Sequence, residues 1–257
     1  MTDFNQNGSS PWGAASMPLT QAAYDQGLRT YMLGIYNHMT LALGISGLVA
    51  WGVNMATAEM VNGKLVGLTP FGQMLYMSPI KWLVMLAPLA FVMVLSFRFE
   101  RMSYAGLLGT FWAFAATMGL SLSSILIVYT HSSVLHVFAI TSLMFAGTSL
   151  YGYTTKRSLS AFGGFLVMGL IGLMIASIVN IFMQSSAFQF AISVLGVLIF
   201  AGLTAWDTQR LKEDYDSIAY DQTLIAKWSV MGALTLYLDF INMFQFLLSL
   251  LGQRNND

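Results

Sequence analysis

The feature that most limits what this chain can fold into is a succession of apolar runs of membrane length, separated by short polar connections. An α-helix crosses the bilayer core with about 20 largely apolar residues. On that rule seven runs qualify: Leu33–Val53, Ile80–Phe97, Ala105–Tyr129, Val134–Tyr153, Leu159–Met183, Ala187–Trp206 and Trp228–Leu251. Only 9% of residues are charged, where a soluble domain carries about 25%. The expectation is an all-α membrane protein with seven transmembrane helices in contact with the lipid bilayer. Residues 1–30 are expected as a flexible tail, 31–251 as the membrane domain and 252–257 as a short C-terminal tail.

The few charges fix the orientation. Arg29, Arg98, Arg101, Lys156, Arg157, Arg210, Lys212 and Lys227 fall in connections on one side of the seven spans, against Lys64, Lys81 and Arg254 on the other. The positive-inside rule then places the N-terminus in the cytoplasm and the C-terminus outside. Eleven basic and eleven acidic residues cancel, so there is no basic stripe for a nucleic-acid partner. The chain has no cysteine, which excludes disulfides, thiolate nucleophiles and zinc-thiolate sites. The polar N-terminal stretch lacks the basic and apolar regions of a signal peptide. The longest outer connection, Asn54–Pro79, is punctuated by Gly63, Gly67, Pro70 and Gly72 and reads as turns. Pro88 reads as a packing kink in the second span. Glycines at 44, 47, 106, 109, 163, 164, 169, 172, 196 and 202 are expected to let helices approach closely.

One run contains a carboxylate. Asp239 sits inside WSVMGALTLYLDFINMFQFLLSLL, and a charged side chain at bilayer depth costs on the order of 2.5–3.5 kcal/mol on the insertion scale. Such a group persists where it faces a protein interior or a wet cavity. Asp239 lies roughly 10 Å into its span, and Asp207 lies roughly one turn inside the end of the sixth, both on the same side of the membrane. The two can therefore meet. Two carboxylates in one site do not both ionise cheaply and titrate as a unit. Ionised, they would attract a hard cation such as Ca²⁺. The plainer alternatives are an Asp207–Arg210 pair on the next helical turn and a structural hydrogen bond at Asp239.

Arg98 and Arg101 close the second span at the same level. They either mark topology and snorkel or supply a guanidinium that latches onto the aspartates. Asn54, Asn180 and Asn242 are expected to bond across helices, and His131 and His136 to lie in the outer connection between the third and fourth spans. His38 has no partner evident in sequence. No P-loop, GxSxG, HExxH or dinucleotide fingerprint is present, so an enzyme reading lacks its parts.

LYLDFINMF (Leu236–Phe244), AWDTQRLKE (Ala205–Glu213) and NIFM (Asn180–Met183) together resemble the Bax inhibitor-1, or transmembrane Bax inhibitor motif, family from about Tyr31 to Leu251. The resemblance implies a fold in which the last helix is central, surrounded by the other six, and a pH-sensitive passive calcium leak. It implies that Asp207 and Asp239 form a pH-sensing dyad and that an arginine ending the second helix, Arg98 or else Arg101, latches onto them. Some relatives carry an acid within the second helix, and Ile80–Phe97 has none. The apoptosis role that names the family is not carried over.

The expected function is a pH-sensitive calcium or cation leak gated by Asp207 and Asp239 in a bacterial inner membrane. Those carboxylates are the candidate calcium ligands, with Ca²⁺ or H⁺ as the mobile species and no tightly bound cofactor. The rival is a non-conducting adaptor that binds another membrane protein. A secondary transporter or an intramembrane hydrolase finds less support, since no paired broken helices occur in corresponding halves.

Overall fold

The computed structural model describes residues 20–61 and 64–255. The first helix, α1, runs Gln21–Thr57, and Thr20 caps it by accepting from the Ala23 N–H. Residues 21–30, expected as tail, are thus its first turns, held by Leu28 in the core and by the Tyr24 ring against Tyr215 at 5.4 Å. Their polarity hid them, because they pack on the far end of another helix rather than on lipid. The rest of the expected tail, residues 1–19, lies outside the described residues.

The connection expected as turns is more ordered than that. Strands β1 (Ala58–Val61) and β2 (Lys64–Leu68) pair antiparallel. A short helix, α2 (Pro70–Met77), follows, with proline in its first turn and Thr69 as its cap. Then come α3 (Ile80–Arg98), a 3-10 turn at Phe99–Arg101, and α4 (Tyr104–Leu122). The third apolar run is not one helix. It breaks at Ser123 and Ser124 before the single turn α5 (Ile125–Val128). Helix α6 (His131–Thr154) begins at His131, so His131 and His136 belong to a span and not to a loop. Helices α7 (Ser160–Met183), α8 (Ser186–Ile218) and α9 (Gln222–Leu251) complete the chain. The described part is a seven-span α-helical membrane protein whose only sheet is the β1–β2 hairpin.

The last helix is the centre. In its most apolar window 56% of residues are buried, against 11% in α7. Helices α1, α4, α6 and α8 pack along α9, while α3 lies mainly on α4 and α7 on α8. Hydrocarbon is thereby excluded from α9 by four neighbours rather than by all six. The outer pair present Leu83, Leu86, Phe97, Phe165, Met168 and Phe182 outward, as a lipid-facing surface requires.

Close packing uses some of the expected glycines and some others: Gly163 lies under Trp206, Gly196 under Phe246 and Gly202 under Leu166, each on a neighbouring helix. A Cβ at Gly44, Gly47, Gly109, Gly164 or Gly172 would meet nothing within 4 Å. Gly152 instead brings α6 onto the α8 backbone at Ala205, and Gly119 brings α4 onto the α1 backbone at Ser46. After α9 the chain is tied down as well: Thr130 N–H donates to Gln253 O and Asn255 N–H to Val128 O, each at 3.0 Å. Replacing Gly152 with Val should cost roughly 1–3 kcal/mol through overpacking against immovable backbone. The melting midpoint in detergent checks this, and Gly44→Ala should leave it unchanged.

Candidate functional site

Asp207 and Asp239 come together because α8 runs unbroken through Ile218, well past the apolar boundary at Trp206, alongside α9. Both are nearly sealed, at 5% and 4% exposure. Their carboxyl groups are neighbours close enough to share a hydrogen bond. The two differ in their other contacts. Asp207 Oδ1 pairs with the Arg210 guanidinium at 3.2 Å, one turn along α8, and that guanidinium also lies over the Trp206 ring. Asp239 Oδ2 is buried and has no hydrogen-bond donor from the protein.

A buried carboxylate oxygen without a donor is costly. A proton held between the two carboxyls, or a cation resting on them, would relieve that cost. The pair offers at most four carboxylate oxygens where calcium takes about six to eight ligands. No group of three or more His, Asp or Glu stands together among the described residues. The chemistry on offer is transient cation contact and proton exchange.

Hydroxyls brace the helices around the pair. Thr208, beside Asp207, donates to Thr204 O at 2.7 Å, so its oxygen accepts from Ser149 at 2.9 Å. Ser149 has spent its single proton and accepts from Tyr36 at 2.6 Å. This relay joins α1, α6 and α8. A second brace links α1, α4 and α9, where Ser46 Oγ sits 2.7 Å from both Tyr237 Oη and the Ala115 carbonyl. Along α9, Thr235, Asn242, Gln245 and Ser249 share the face next to Asp239 and are at least partly open. Ser249 accepts from Ser193 of α8 at 3.0 Å. None of Tyr36, Ser149, Thr208, Gln245 or Ser193 carries a sequence signal beyond a polar atom in an apolar run.

The arginines that end α3 are not brought to the pair. Arg98 and Arg101 are exposed, and among the described residues the one salt bridge is Asp207–Arg210. Phe99 packs on Trp228 at 5.1 Å and Lys227 donates to Glu100 O at 3.3 Å, which fastens α3 to the start of α9 without them. Asn54 meets His131 across α1 and α6 at 3.2 Å, and Asn180 donates to Gln189 across the α7–α8 turn at 2.9 Å. Asn242 instead donates within its own helix, to Leu238 O. His38 finds Tyr104 of α4 at 3.3 Å.

Seven spans packed about a last helix whose buried Asp239 meets Asp207 of α8 define a polytopic membrane protein. The chain belongs to the Bax inhibitor-1 family, matching over residues 28–256 the family described as inhibitor of apoptosis-promoting Bax1. It is 44% identical over 262 residues to an uncharacterized protein of Caulobacter vibrioides, covering 98% of each chain. It is 41% identical to an uncharacterized protein of Rickettsia prowazekii, over 91% of this chain and 93% of that one. It is also 42% identical to the inner membrane protein YbhL of Escherichia coli, over 89% of this chain and 93% of that one.

The geometry separates the arginines by experiment. Arg210→Gln should destabilise the fold by an amount on the order of 1 kcal/mol, read as a lower melting midpoint, since Arg210 is half in solvent while its partner is buried. Arg98→Gln and Arg101→Gln should stay within about 0.5 kcal/mol, as surface changes do.

Proposed function

We propose that this protein is a passive, pH-gated pathway for cations, with calcium as the candidate permeant ion and Asp207 and Asp239 as the gate. The observation that carries this reading is the buried meeting of the two carboxyls with Asp239 Oδ2 left without a protein donor. With one proton between them the carboxyls hold α8 against α9. With both ionised, repulsion is relieved either by separation of the two helices or by entry of a cation. The open polar face of α9 from Thr235 through Asn242 and Gln245 to Ser249 supports a lane past the pair. Arg210 takes the place first considered for Arg98 or Arg101 as the cation that tempers the gate.

The relative in Escherichia coli named as an inner membrane protein supports a bacterial inner membrane as the location. The bias of basic residues supports a cytoplasmic N-terminus and an outer C-terminus. The pair would then face the cytoplasmic half.

Purified protein in liposomes loaded with a calcium-sensitive dye tests the reading. Wild-type flux should change with pH across the neutral range, and Asp239→Asn, which cannot ionise, should give a flux flat with pH. An Asp239→Asn variant with the wild-type flux and pH profile would overturn the gate. A wild type that passes no cation at any pH would overturn the pathway itself and leave the adaptor reading standing.

A further inference from the structure

Helices α1 and α6 are tied together at two points and part in between. Near one end Tyr36 donates to Ser149 at 2.6 Å, and near the other Asn54 meets His131 at 3.2 Å. The two ties are about 27 Å apart along α1 at 1.5 Å per residue, close to the thickness of the hydrocarbon core. Between them lies a groove of about 1490 Å³, floored by Phe240, Ile241 and Phe244 of α9. Gly44 and Gly47 form part of its α1 wall, and a Cβ at either would meet nothing within 4 Å. Its rims are Leu48 and Leu135, each 70% exposed. The groove therefore opens sideways, toward lipid.

An apolar groove of this size at membrane depth does not stay empty, because unfilled walls forgo their dispersion contacts and water there finds few polar partners. The groove opens along its length to the bilayer, so lipid is the neighbour it meets first, and a flexible hydrocarbon chain can follow its apolar walls.

The groove also has a charged end. Arg29 lines it and makes no ion pair among the described residues. On the facing wall Tyr153 lines it too, with the Lys212 ammonium 5.1 Å over its ring and donating to its carbonyl at 3.0 Å. The other end has His131 and Trp51 and no acid. Ser149 is only 3% exposed, so the Tyr36–Ser149 tie lies at the base of the groove and leaves the way to Arg29 open above it. We propose that the groove between α1 and α6 is a binding site for an anionic membrane phospholipid, with an acyl chain against α9 and the phosphate on Arg29. This site is separate from the aspartate pair and stands whether or not the protein conducts ions.

Native mass spectrometry of the full-length protein in detergent, with phosphatidylglycerol or phosphatidylcholine added, tests the proposal. Wild type should retain phosphatidylglycerol about five-fold better than phosphatidylcholine, the preference one basic side chain gives. Gly47→Phe, which grows into open space, should remove most of the bound lipid while elution and helical content stay as in wild type. Should that variant not fold, Ala146→Phe fills the same groove from α6. Arg29→Gln should keep the adduct and lose the headgroup preference. Equal retention of both lipids by wild type, an adduct indifferent to groove filling, or a second copy of the chain or another protein displaced by groove filling would each overturn it.

Discussion

A carboxyl group on a membrane-length helix cannot face hydrocarbon, and that constraint places Asp239, hence α9, in the interior. Four helices then have to enclose α9, which commits the rest of the chain to their arrangement. Helices α3 and α7 are left with little to do but cover α4 and α8 and face lipid, and their burial reflects it. The same demand explains why α8 runs on to Ile218. Its buried residues Leu211, Tyr215 and Ile218 keep it packed beyond the apolar run, so Asp207 stands within a rigid helix and not at a frayed end.

Hydrophobicity does not hold such helices against each other, because lipid tails are as apolar as the side chains. What distinguishes one packing from another is close backbone approach and polar contact. The approach is made at Gly119 and Gly152, each against a neighbouring backbone. The polar contact is made by single hydroxyls, with Tyr36, Ser149 and Thr208 on one side and Ser46 and Tyr237 on the other. Each such bond contributes about 0.6 kcal/mol in comparable membrane proteins. Their value here is geometric: in the Tyr36–Ser149–Thr208 relay each hydroxyl has one proton, and the bond from Thr208 to Thr204 O sets the donor order across three helices.

The seven spans were legible because membrane length and low charge are properties of a single helix. The meeting of Asp207 with Asp239 was legible in outline, since two depths counted from the same side either agree or do not. The partner of Asp207 was harder to read. Arg98, Arg101 and Arg210 sit at one level, but only Arg210 reaches Asp207 along its own helix, and the choice turns on where α3 ends in space. Glycines were legible in part, with Gly163, Gly196 and Gly202 packed on neighbouring helices as expected. A small residue permits close approach without requiring it, so Gly44 and Gly47 came to line an open groove while Gly152 carried the contact. The β1–β2 pairing, α2 and the first turns of α1 escaped notice because they rest on strand pairing, on capping by Thr20 and Thr69 and on distant partners such as Tyr215, none of which shows as hydropathy.

The asymmetry of the pair gives the proposed gate its physical content. Two carboxyls and the Arg210 guanidinium sum to no net charge when one proton is present and to a single negative charge when it leaves. A proton and a monovalent cation therefore neutralise the same deficit, and a divalent cation exceeds it by one charge. Since the guanidinium contacts Asp207 alone, the deficit falls at Asp239, whose Oδ2 has no donor. In the proposed gate, proton and cation would then compete for one oxygen on the central helix, beside the face that carries Asn242 and Gln245. Gating by pH on this charge count needs no separate sensor: occupancy by the proton is itself exclusion of the ion, and a calcium ion that does enter is held by too few oxygens and too little charge to stay.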